Sequence, residues 1–183
     1  MKVAIFGYSE AKKGDELYQS AFQTAKLLAR NGCEIINGAG PGVMRAATEG
    51  AHAGGGKAIG ISFDASKMSF FEGRDPENKV DEEIKEKSYL ERTMRLLALG
   101  DFYVVFNGGT GTLSEFAMAW GLARLYFNKH KPIIFYGQFW YEVIEVLAKN
   151  MRIRPKEKQV YRIATSPEEV LEAAKIFLLD RKK

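Results

Sequence analysis

Short apolar runs alternate with longer amphipathic ones along most of the chain, and this alternation narrows the possible folds more than any other feature. The runs Lys2–Gly7, Cys33–Asn37, Ala58–Ser62, Phe102–Phe106, Pro132–Tyr136 and Val160–Ile163 fit strands. Helical spacing marks Glu16–Asn31, Val43–Ala53, Tyr89–Leu99, Leu113–Phe127, Trp140–Lys149 and Pro167–Leu179. Gly32 follows the first helix as a terminating glycine does, and Ser166-Pro167 gives the last helix a cap residue and an N1 proline. Such a pattern calls for an α/β fold, a Rossmann-like doubly wound parallel sheet flanked by helices. With 183 residues, the chain is sized for a single nucleotide-binding domain, residues 1–183.

One stretch breaks the alternation. Phe63–Lys87 holds Gly73, Pro76 and many charges without a sustained period, and reads as a long excursion after the third strand. Long loops of this kind are either lids and binding loops or disordered insertions. The pair Phe70-Phe71 favours packing over a base or against a partner subunit.

Two glycine-rich turns join a strand to a helix. The first is Asn37-Gly-Ala-Gly-Pro-Gly-Val-Met44 and the second Asn107-Gly-Gly-Thr-Gly-Thr-Leu-Ser-Glu115. Glycine lets an anion approach backbone N–H groups, which at a helix N-terminus point outward with partial positive charge. Gly108, Gly109, Thr110, Gly111 and Thr112 therefore suit a phosphate cradle, and Gly38, Gly40 and Gly42 suit the border of the same crevice at the carboxyl edge of the sheet. Glu115 is the unusual member, because a phosphate site gains nothing from another negative charge. Its placement points to chemistry beside a phosphate. Thr112-Leu-Ser-Glu115 also fits a capping box, which would give Glu115 a purely structural task.

Charge and composition bound the partners. The net charge of +4 comes from 27 basic and 23 acidic side chains spread along the chain, which slightly favours small anions and gives little support to nucleic acid. Cys33 is the only cysteine, so neither an intrachain disulfide nor a cysteine-based zinc cluster is expected, and His52 and His130 lack metal-like spacing. No metal or other cofactor is expected. The apolar stretch Val3–Phe6 is too short for a signal peptide or membrane span, so a cytoplasmic protein without membrane contact is expected.

From about Val3 to Trp140 the chain resembles the LOG family, the cytokinin riboside 5′-monophosphate phosphoribohydrolases, often labelled possible lysine decarboxylases. The resemblance rests on Gly38-Ala-Gly-Pro-Gly-Val-Met44 and on Asn107–Glu115, which follows a PGGxGTxxE signature. It implies catalytic roles for Glu115 and for Arg92, nine residues ahead of Asp101. Without the resemblance, Arg92 reads as an ordinary surface arginine on a helix where Glu91 and Arg95 can pair. Asn107 stands where the family has proline, Ala39 where it has glycine and Thr93 where it has a basic residue.

The resemblance implies hydrolysis of the N-glycosidic bond of AMP or an N6-modified AMP to free base and ribose 5-phosphate. Glu115 would stabilise the oxocarbenium-like state and take a proton from water, Arg92 would orient the sugar phosphate, and Ser9 would add a donor. A non-catalytic nucleotide or molybdenum-cofactor carrier is the alternative, kept open by Asn107 and Thr93. Amino-acid decarboxylation fits poorly, because no lysine stands by either glycine loop to hold pyridoxal phosphate. The stretch Phe116–Phe127 is apolar around most of its circumference, which predicts a homodimer with Trp120 and Tyr126 as anchors.

Overall fold

The computed structural model describes residues 1–66 and 73–180. Phe70 and Phe71 lie outside the described residues. The described chain runs β1 (Lys2–Phe6), α1 (Glu16–Arg30), β2 (Glu34–Asn37), α2 (Val43–Ala53), β3 (Ala58–Phe63), β4 (Glu82–Glu86) and α3 (Tyr89–Leu99). It continues through β5 (Phe102–Val105), α4 (Thr110–Leu125), β6 (Ile133–Tyr136), α5 (Phe139–Asn150), a 3₁₀ turn at Pro155–Gln159, β7 (Tyr161–Ala164) and α6 (Pro167–Asp180). The strands form one parallel sheet in the order β4-β3-β2-β1-β5-β6-β7. In β1, Val3 faces Ile35 of β2 on one side and Phe102 of β5 on the other. The winding reverses at β1 and β5, and the carboxyl end of that junction is where open α/β sheets take their ligands.

Alternation along β1 divides the core. Val3 and Ile5 pack with α1, α2 and α6, whereas Ala4 and Phe6 pack with α3, α4 and α5. The central strands are buried on both faces and therefore read as unbroken apolar runs. No helix among the described residues is long and apolar enough to cross a membrane.

The sequence reading needs three corrections here. Phe63–Lys87 is not structureless throughout, since Glu82–Glu86 forms β4, paired in parallel with β3 from Ile59↔Glu82 to Phe63↔Glu86. Its sequence Glu-Glu-Ile-Lys-Glu has a single apolar residue because β4 is an edge strand, where charges deter further pairing. Secondly, α4 begins at Thr110 rather than Leu113, with Gly109 as its N-cap and no side-chain cap. The capping box of Thr112 and Glu115 does not form. Thirdly, Glu91 does not pair with Arg95: Ser88 Oγ accepts from Glu91 N–H at 3.2 Å as the cap of α3, and Arg95 Nε donates to Glu86 at 2.6 Å.

Candidate functional site

Three loops converge above the β1/β5 junction, held together by the backbone of Tyr8. Its N–H donates to Asn107 O at 2.9 Å, and its carbonyl accepts from Val43 N–H at 2.9 Å. Gly42 permits this approach, because its φ is +63° and a Cβ there would lie 2.3 Å from Tyr8 O. The loop after β2 is braced from below by buried amides. Asn37 Nδ2 donates to Thr48 Oγ1 at 2.9 Å, Asn37 Oδ1 accepts from Ala39 N–H at 2.8 Å, and Asn78 Nδ2 donates to Gly40 O at 2.8 Å. Nothing in the local sequence singles out Asn78.

The loops enclose one side of a cleft of about 620 Å³. Ser9, Gly38, Arg92, Gly109, Thr110, Gly111, Thr112 and Glu115 line it, which brings most of the predicted site residues together. Gly40, Gly42 and Gly108 stand behind the wall instead. A Cβ on Gly40 would meet Met44 Cε at 2.4 Å, and one on Gly108 would meet Thr112 Oγ1 at 2.2 Å, so these glycines make room for the lining. The N–H groups in the first turn of α4 have no acceptor within the helix and border the cleft. This end of the site suits an anion.

Arg92 and Glu115 form the floor. Both are buried, at 8% and 6% exposure, so the pair lies in a low-dielectric setting where charge interactions are strong. Arg92 Nη1 donates to Glu115 Oε1 at 3.2 Å, Nε to Ile61 O at 3.0 Å, and Nη2 to Gly38 O at 3.3 Å. The guanidinium thus ties α3 to β3, to the loop after β2 and to α4. Burial pushes the Glu115 carboxyl up to about 7, and the attraction of Arg92 offsets that only in part. A carboxyl poised there can exchange a proton near neutral pH.

Gly38 is required by this arrangement. A Cβ at residue 38 would lie 1.5 Å from Arg92 Nη2 and 2.6 Å from its Cζ, so an alanine would expel the guanidinium from its seat. Gly38→Ala is expected to lower the melting temperature, since displacing the guanidinium leaves the buried Glu115 carboxyl and Ile61 O without their partner. A circular-dichroism melt tests this, and an unchanged melting temperature would show that Arg92 can move without consequence.

The three residues that depart from the family pattern do not line the cleft. Thr93 is buried and its hydroxyl donates to Tyr89 O at 3.1 Å. Ala39, fully buried with φ +57°, sits against Gly60, where a Cβ would be 2.8 Å from its own. Asn107 contributes its carbonyl to the Tyr8 N–H. The sequence reading missed Phe63, Arg74 and Tyr89, which line the cleft through contacts set only by the fold. No lysine lines it among the described residues, and no group of three or more His, Cys, Asp or Glu among them is placed to hold a metal.

The model of the SLOG cluster4 family matches residues 1–171. The SLOG superfamily includes the LOG enzymes, and the likeness to LOG holds at that broader level. An uncharacterized protein of Archaeoglobus fulgidus is 26% identical over 145 residues, which cover 79% of this chain and 90% of that protein. The molybdenum cofactor binding protein of the phototrophic bacterium Rippkaea orientalis superposes with a TM-score of 0.72 at 24% identity, over 97% of this chain and 96% of its own. The molybdenum cofactor carrier protein of Chlamydomonas reinhardtii superposes with a TM-score of 0.68 at 20% identity, over 97% and 98%. At these identities the two structures speak for the fold.

Proposed function

We propose, for a chain that belongs to the SLOG cluster4 family, that the cleft binds a nucleoside 5′-monophosphate and hydrolyses its N-glycosidic bond. The observation that carries this reading is the buried Arg92–Glu115 pair directly beside the open first turn of α4. The phosphate sits on the α4 amides, with the Thr110 and Thr112 hydroxyls as further donors. The pentose then lies over Glu115, whose carboxylate stabilises the oxocarbenium-like state and takes a proton from the attacking water. Arg92 fixes the carboxylate and favours its charged form. Glu115 is the only carboxylate among the described lining residues, so the leaving base is protonated from water. That favours AMP, GMP or an N6-substituted AMP over CMP and UMP, because purines leave more readily. Chromatography of free base and ribose 5-phosphate after incubation with each of the five nucleotides tests the proposal. Ribose 5-phosphate release supports it, and complete stability of every nucleotide overturns it. The cytosol, where nucleotides are made, is the setting this activity implies.

A carrier of a phosphorylated pterin is the second reading, favoured by the two molybdenum-cofactor proteins that share the fold. It requires the same phosphate cradle and no turnover.

The homodimer belongs to this reading too, on a revised surface. Trp120 is not available as an anchor: its Nε1 donates to Glu157 O at 2.6 Å and its ring stacks on Phe116. Leu90 and Met94 of α3, Leu122 and Leu125 of α4, and Tyr126 are among the exposed apolar side chains, and a groove of about 550 Å³ takes in all of these but Leu125. Apolar side chains clustered on one face in this way suit a protein–protein contact. Light scattering after size exclusion is expected to give a dimer that Leu125→Glu converts to monomer; a monomeric wild type overturns the expectation.

A further inference from the structure

The cleft follows the carboxyl edge of the sheet from β5 past β1 and β2 to β3. With strands about 4.8 Å apart, three spacings give it a run of about 14 Å. A phosphate at α4 and a pentose over Glu115 take up the β5 end and the middle. At the β3 end the lining changes to Ser62, Phe63 and Arg74, which Tyr89 reaches from the start of α3. The Phe63 and Tyr89 rings meet edge to face, with centroids 5.7 Å apart and planes at 81°. Tyr89 is also fixed from two other sides: the Arg92 Cζ lies 5.5 Å from its ring centroid, and its hydroxyl is 3.5 Å from Ser114 Oγ. The result is an aromatic corner in the lining of the cleft. Arg74 is held by Glu83 at 2.9 Å and by Asn78 O at 2.8 Å through Nε and Nη1, while its Nη2 takes no hydrogen bond among the described residues.

We propose that the β3 end is a subsite for a planar nitrogen heterocycle, of the purine or pterin kind, attached to the phosphorylated ligand. Phe63 and Tyr89 form its apolar wall, and Arg74 is the donor at its polar edge. Aromatic corners take flat rings face-on or edge-on, and one charged group at the rim fixes their orientation. A bare sugar phosphate gains nothing from this end. The subsite rests on the reading of the cleft as a site for a phosphorylated ligand, and the test separates the two.

Calorimetric titration with ribose 5-phosphate and with carbocyclic AMP, whose carbon ring cannot form an oxocarbenium ion, reads the two ends independently. Wild type is expected to bind carbocyclic AMP more tightly than ribose 5-phosphate. Phe63→Leu is expected to weaken carbocyclic AMP about tenfold while ribose 5-phosphate is unaffected, as befits loss of one ring contact with a base. Phe63→Ala serves as a second variant, with the unchanged ribose 5-phosphate affinity reporting an intact fold and phosphate end. Equal affinity of wild type for the two ligands, or equal loss of both in the variants, overturns the subsite and leaves the phosphate reading standing. Failure of wild type to bind either ligand overturns the phosphate reading and the subsite with it.

Discussion

Glu115→Gln is expected to lower the rate of base release by about 10²–10⁴-fold with little change in nucleotide affinity, the range typical of removing a positioned general base. The amide keeps the size of the carboxyl and can still accept the hydrogen bond that Arg92 Nη1 gives Oε1 at 3.2 Å. The fold and the phosphate end are therefore expected to survive. What is lost is the negative charge under the pentose and the acceptor for the proton of water. Arg92→Ala removes the hydrogen bonds to Ile61 O, Gly38 O and Glu115 together. Glu115 then stays buried without the cation that lowers its pKa, so it is protonated at neutral pH and turnover falls by a comparable factor. Breaking a buried ion pair from one side costs up to about 3–5 kcal/mol of stability, and protonation of Glu115 offsets part of that. Since the two residues act as a unit, the double variant is expected to be little slower than either single one. Single-turnover kinetics with AMP, beside thermal melts, measures all of this. Wild-type base release in Glu115→Gln would remove the carboxylate from the mechanism, whereas nucleotide binding with no release even in the wild type would favour the carrier.

The second large effect is on pH. Burial holds the Glu115 carboxyl at about 7, against 4.5 for the free side chain. Turnover needs the carboxylate, so kcat/KM is expected to fall about tenfold per pH unit below that point. Stability moves the other way. The folded pKa is raised above the unfolded one, so the contribution of Glu115 is present in full below pH 4.5 and is lost as the pH rises through about 7. Wild type is expected to lose on the order of 3 kcal/mol relative to Glu115→Gln across that window. Chemical denaturation of both proteins from acid to mildly alkaline pH measures the difference. A gap that does not change with pH would show that Glu115 titrates alike in the folded and unfolded chain, so that burial does not raise its pKa. The same residue would thus be most useful where its burial is most costly, a common compromise at active sites.

The parts of the protein legible in its sequence are those governed by neighbours along the chain. Helices α2 and α3 begin and end where the periodicity placed them, and the central strands lie within a residue or so of their apolar runs. These elements repeat a local pattern that solvent exclusion reads directly. β4 escaped notice because an edge strand does not need an apolar run, and its pairing with β3 is a property of the sheet. Trp120 looked like an interface residue because its partner, Glu157, lies 37 residues on. Glu115 stood between a cap and a catalytic carboxylate, and its own helix could not decide the matter.

The glycine spacing, the apolar alternation and the resemblance carried by Asn107–Glu115 thus determined a doubly wound sheet with a glycine-rich turn at its edge. Only the tertiary structure decided what that turn adjoins. Arg92 meets Glu115, Ile61 and Gly38, at separations of 23, 31 and 54 residues, and Tyr89 meets Phe63 across the gap between β3 and α3. No local propensity specifies such contacts. They exist because the strand order brings the ends of β1, β2, β3 and β5 to one side of the sheet, and because burial there sets a carboxyl against a guanidinium.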